Sequence, residues 1–164
     1  MRLKLVLASF TLLAATPVFA QSPLGDKDRH FVQEAGAAGA AEIDAGKLAS
    51  EKASSPEVKA FAQRMVTDHT KLADQLKETS QSLGAKPASE PDAAHKNAQQ
   101  SLRKLSGEAF DKQYVKDQLK DHEAAVSLFE AQAKSGQNEK LKTLAQDALP
   151  VLYSHLDMVK KLSK

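Results

Sequence analysis

The chain has 164 residues, with 23 Lys and Arg against 21 Asp and Glu, and neither Cys nor Trp. Those counts argue against a disulfide scaffold, a thiolate metal site and the basic footprint of a nucleic-acid binder. Only 5% of the residues are aromatic, and Ala, Leu, Lys, Glu and Gln are abundant, so the composition predicts an all-helical protein held together by packing.

The first 20 residues read as a secretory signal peptide. Arg2 and Lys4 form a basic start, Leu5 to Ala15 is an apolar run too short for a membrane helix, and Val18-Phe19-Ala20 offers a cleavage site. No Cys follows it, which closes the lipoprotein route, and no later segment is apolar enough to span a membrane. The expected address is the bacterial periplasm or the outside. Cleavage after Ala20 leaves 144 residues, enough for one domain with a real core, with 21 basic and 21 acidic side chains.

Residues 21–27 form a polar lead-in with Pro23 and Gly25, and a single domain is expected over 28–164. The first helix is predicted from Asp28 to about Ala53, with the stripe Phe31, Ala35, Ala38, Glu42, Ala45 and Ala49. Gly36 and Gly39 lie within it, at a cost of roughly 1 kcal/mol each in helix propensity, and imply close approach of neighbouring elements. Ser55 as N-cap and Pro56 as first helical residue start a second helix, which Gly84 ends. Its stripe is Val58, Ala62, Met65, His69, Leu72 and Leu76, which places His69 among apolar residues. Pro87 and Pro91 mark an extended connector, followed by a short helix from Asp92 to about Leu105. A long helix follows over 108–134, with Val115, Leu119, His122, Val126, Phe129 and Ala133 on one face. The last runs over 139–162 behind an Asn138 cap, with Leu141, Ala145, Ala148, Leu152, His155, Val159 and Leu162 inward and a kink expected at Pro150.

The connector over 85–107 decides the topology. A helix of about 27 residues is roughly 40 Å long. About 14 helical residues span roughly 21 Å and about 7 extended ones at most roughly 24 Å, so the connector just reaches from end to end. The expected fold is therefore a ferritin-like four-helix bundle, with two tight antiparallel hairpins joined by a long crossover that contains a short extra helix.

Glu42, His69, His122 and His155 lie on four different helices at similar depths, 14, 13, 14 and 16 residues from their expected starts. All four can meet at mid-bundle as ligands of a divalent transition metal. Imidazole suits Zn, Cu, Fe and Ni, and a carboxylate widens the choice toward Fe and Mn. Asp68 and Asp121 precede two of the histidines and suit hydrogen bonding to a neighbouring helix's imidazole N–H. The alternative is a buried polar network without metal, which sets the register of an Ala-rich bundle. His30 and His95 are expected at the surface, and Tyr114 and Tyr153 near the inner faces with bonded hydroxyls. Exposed charges are expected in pairs such as Asp68/Lys71. No nucleophilic triad, phosphate loop or carboxylate pair points to an enzyme.

Several segments resemble the bacterial domain of unknown function 4142 family. They are Phe31-Val32-x-x-Ala35 with Glu42-Ile43-x-x-Gly46-x-Leu48-Ala49, Val66-Thr67-Asp68-His69-Thr70-Lys71, Phe110-Asp111-x-x-Tyr114 with Asp121-His122-Glu123, and Leu149-Pro150-x-Leu152-x-x-His155-Leu156. The resemblance implies an exported, ferritin-like protein and no particular activity. Ferritin-like di-iron proteins take a Glu from each of two helices and Glu-x-x-His from each of the other two. Here Val66, Leu119 and Leu152 stand three residues before the histidines, and only Glu42 matches such a ligand. The reading is a non-storage metal binder active in metal or oxidative stress handling, or else a non-enzymatic envelope or interaction protein.

Overall fold

The computed structural model describes residues 24–164, so the expected signal peptide lies outside the described residues. Five helices and no strand occur among the described residues: α1 (Asp26–Lys52), α2 (Pro56–Ser82), α3 (Ala93–Arg103), α4 (Gly107–Ser135) and α5 (Glu139–Leu162). The local signals explain their ends. The Ser55 hydroxyl accepts from the backbone N–H groups of Glu57 and Val58, and Pro56 needs no partner for its nitrogen. Gly84 takes φ of 71°, so that its N–H reaches Gln81 O at 3.0 Å while the Ala85 N–H reaches Ser80 O at 2.9 Å. Asp92 and Asn138 cap α3 and α5 through side-chain oxygens. The α5 helix runs unbroken past Pro150, which lies on its exposed face, where water can take the Gln146 carbonyl that the ring leaves without a donor.

The main packing pairs are α1 with α2 and α4 with α5, and α1 also meets α4 while α2 meets α5. Two buried carboxylates fasten the hairpins to one another. Asp111, near the start of α4, accepts from the backbone N–H groups of Ser54 at 3.0 Å and Ser55 at 2.8 Å, in the α1–α2 turn. Asp28, in the first turn of α1, accepts from Gln132 Nε2 at 2.9 Å and the Gln137 N–H at 3.1 Å, at the α4–α5 turn. The start of α4 therefore lies beside the start of α2, and both helices run the same way.

The connector must then travel the length of α1, and its contacts trace that path. Gln33 donates to Lys86 O at 2.6 Å, Gln99 to Ala41 O at 3.2 Å, and Lys52 to Arg103 O at 2.6 Å. At Gly36 a Cβ would stand 2.5 Å from Ala88 O, so only glycine admits the connector there. Gly39 behaves otherwise. A Cβ built on it meets nothing within 4 Å, so it faces open space and not the close neighbour expected of it. The close helix–helix approach occurs instead at Gly46, against Val66 and Ala62 of α2.

The core is divided into two. One apolar cluster, at the α1–α2 turn, holds Leu48, Phe61, Met65, Phe110, Tyr114 and Val159. The other, at the far end, holds Phe31, Val32, Leu76, Phe129, Leu141 and Leu152. Along α1, α2, α4 and α5 the buried polar residues Glu42, His69, Gln118, His122 and His155 fall between the two clusters. The middle of the molecule is a polar layer.

Candidate metal centre

Three histidines meet in that layer. His69 of α2 is 5% exposed, and His122 of α4 and His155 of α5 are fully buried. Their ring centroids lie 5.6 Å (His69–His122), 5.3 Å (His69–His155) and 5.5 Å (His122–His155) apart. One ring nitrogen from each can be chosen so that all three lie within 4.8 Å of one another. Each helix brings its histidine inward because the residue occupies a seam position, with apolar residues before and after it on the same face.

The outer nitrogens of two rings are held by the protein. His122 Nδ1 stands 2.9 Å from Gln118 O, and a carbonyl only accepts, so this nitrogen carries the hydrogen. His155 Nε2 stands 2.9 Å from Asp68 Oδ2, again an acceptor. In neutral rings this leaves lone pairs on His122 Nε2 and His155 Nδ1. Both of these atoms are buried without a partner, as is His69 Nε2. Such an atom costs about 1–3 kcal/mol when nothing engages it. Two such lone pairs, beside the unpartnered His69 Nε2, make an arrangement that a metal ion can satisfy.

Charge reinforces this. Burial lowers the His69 pKa to about 3, with His122 and His155 adding to the effect, and Asp68 opposes it. Burial likewise lowers His122 to about 4, against the raising effect of the Gln118 carbonyl. His155 is lowered by burial more than its bond to Asp68 raises it. All three rings are neutral near pH 7, the state that ligates. For Asp68, burial raises the pKa, but hydrogen bonds from Arg64 and His155 outweigh it and keep the carboxylate ionised. Asp68 therefore pairs with Arg64 at 2.6 Å and with His155, instead of the expected Lys71.

Glu42 lies in the same layer but outside this trio. Its Oε2 accepts from Gln118 Nε2 at 2.6 Å, and its Oε1 is 3.8 Å from His122 Nδ1, the nitrogen already turned to Gln118 O. Burial raises its pKa to about 8, partly offset by the Gln118 bond, so its carboxyl is largely protonated at pH 7. Asp121 does not reach the trio either; its Oδ1 faces His95 Nε2 of α3 at 3.9 Å. His95 is accordingly half-buried, not at the surface, with Nδ1 2.8 Å from Asp92 Oδ1, whereas His30 is exposed as expected. Two tyrosine expectations also change. Tyr114 is buried, but its hydroxyl has no partner, and burial together with nearby Glu42 raises its pKa well above 10. Tyr153 is 43% exposed and donates to Glu130 at 2.6 Å.

Gln118 is the layer residue that the sequence reading missed. The seam Val115–Leu119–His122 can equally be read Val115–Gln118–His122, since both keep helical spacing, and apolar preference selected Leu119. In the structure Gln118 is buried and Leu119 only partly so.

The chain is an all-α protein whose middle layer gathers three buried imidazoles. The chain belongs to the DUF4142 family, a domain of unknown function, which it matches over residues 13–162. No curated protein matches it. Among solved structures it is similar to a DUF305 fragment from Deinococcus radiodurans, with TM-score 0.75 and 15% identity over 87% of this chain and 98% of that one. It is also similar to CopM in its Cu(II)-bound form (TM-score 0.69, 17% identity, 83% and 95% covered) and its Cu(I)-bound form (0.68, 18%, 82% and 93%). At such identities the likeness extends to the helical fold.

Proposed function

We propose that this is an exported, ferritin-like bundle that binds a transition-metal ion through His69 Nε2, His122 Nε2 and His155 Nδ1 and acts in metal handling, not in catalysis. The observation that carries the reading is that one nitrogen from each of three buried histidines lies within 4.8 Å of the others, in rings that each hold a buried nitrogen without a partner, while the second nitrogens of two of the rings are fixed by Gln118 O and Asp68. Asp68 supplies a negative charge hydrogen-bonded to the far nitrogen of the His155 ring, and Glu42 sits behind His122 as a further carboxyl that can ionise when charge arrives. With no carboxylate among the three converging nitrogens, the donor set suits copper or zinc better than iron or manganese. CopM, similar in fold, has been solved with Cu(I), Cu(II) and silver, which supports the same direction.

A second reading, a polar layer without metal, is favoured by the Gln118–Glu42 bond, which satisfies part of the layer from within. Elemental analysis of untagged protein purified from its own compartment separates the two. One equivalent of copper or zinc, with uptake by the apo protein, is expected. Repeated absence of metal with no uptake would leave the structural reading. The export half of the proposal predicts a mature protein that begins at Gln21, and a chain retaining Leu5 to Ala15 would contradict it.

A further inference from the structure

The three histidines are buried, so an ion needs a way in. A cavity of about 390 Å³ lies beneath the crossover helix and is bounded by all five helices. Of the three histidines only His69 lines it, and His69 Nε2 is buried without a partner. The α1 wall includes the small residues Ala35, Ala38 and Gly39, and the space in front of Gly39 is empty to 4 Å. The small residues of α1 thus keep a volume open where tight helix packing would close it.

The lining carries Glu34, Asp92, Asp117 and Asp121 besides Glu42, against one lysine, Lys120. Among the described residues Asp121 makes no salt bridge to a lysine or arginine; His95 lies 3.9 Å from it, and Lys120 is near enough to favour its charged form. A low-dielectric cavity with an acidic wall raises the local concentration of cations.

We propose that this cavity is the loading port of the three-histidine site: cations collect at Asp117 and Asp121 and pass the open wall at Gly39 to reach His69. The inference rests on the metal-binding reading above and adds the path and its residues.

Gly39→Leu tests it. The position is helical without positive φ, and leucine favours a helix over glycine, so the variant keeps the fold while its side chain fills the port. Equilibrium affinity and stopped-flow loading are measured with Cu(I) and with Zn(II) alone on the mature apo protein, followed by chelator-driven release. Loading and release should both slow by about tenfold or more with affinity nearly unchanged, since a blocked path alters rates and not end states. Asp117→Asn with Asp121→Asn, which leaves the core intact, should slow loading at low salt and lose that effect at high salt. Binding at equilibrium with wild-type loading rates in both variants would overturn the port and leave the metal site standing. If neither ion binds wild-type protein, the metal reading falls and the port with it.

Discussion

At the scale of single residues, the titration of the middle layer makes a prediction with two limbs. The folded pKa values of His69 and His122, about 3 and about 4, lie below their ordinary 6.5, so the unfolded chain binds more protons as pH falls below 6.5. Their contribution to stability is complete above 6.5 and is lost as pH drops toward 4 and 3. Glu42 has the opposite sign. Its folded pKa of about 8 exceeds the ordinary 4.5, so its contribution is complete below 4.5 and is lost as pH rises toward 8. Apo protein should therefore be most stable near pH 6 to 7 in thermal melts across pH, by the sum of these linkages. His69→Leu should flatten the acid limb, and Glu42→Gln the alkaline one. The same His69→Leu variant should lose the metal-dependent rise in Tm while its apo Tm holds or increases, because it removes an orphaned nitrogen and keeps the volume. A large fall in apo stability would instead mark His69 as a structural partner.

At the scale of elements, the buried carboxylates at the helix starts dominate. Asp111 answers two backbone N–H groups of the α1–α2 turn, and the hydroxyl of Ser54 as well. Asp111→Ala strands these donors in a half-buried turn and should destabilise the protein by about 1.5–3 kcal/mol, the range for hydrogen bonds to a charged group, read from urea denaturation. Asp28→Ala should act in the same direction at the opposite end, where Gln132 and Gln137 lose their acceptor. The two acids belong to a repeated pattern. Asp28, Phe31, Val32, Ser55, Val58 and Ala62 recur as Asp111, Tyr114, Val115, Asn138, Leu141 and Ala145, each 83 positions later. Each hairpin uses its leading Asp to hold the other hairpin's turn. At this offset Gly39 corresponds to His122, so α1 contributes open space where α4 contributes an imidazole.

For the whole molecule, a polar layer between two apolar clusters costs stability that one joined apolar core would not. Replacing Glu42, His69, Gln118, His122 and His155 together with Leu would join the clusters into one core. Substituting a buried polar network by apolar residues of similar volume often stabilises, here by about 1–4 kcal/mol. The fivefold variant should unfold at a higher temperature, retain sharp near-UV dichroism and bind no metal. A loss of fixed tertiary packing would show instead that the layer sets the register of the helices.

The positions of the helices, their caps and the depth of each histidine were legible in the sequence because they are local. Ser55, Gly84, Asp92 and Asn138 act on backbone groups within a few residues, and depth follows from a constant rise per residue. That local arithmetic brought Glu42 to the same level as His69, His122 and His155. Which groups face one another at that level is a matter of rotation about each axis, side-chain rotamer and the path of the connector, and these are settled only when the helices pack. Packing turned Glu42 to Gln118 and the back of His122, gave Asp68 to His155 but Asp121 to His95, and left space in front of Gly39 beneath α3. Every one of these pairings joins residues far apart in the chain, where no spacing rule connects them, so the tertiary structure alone could decide them.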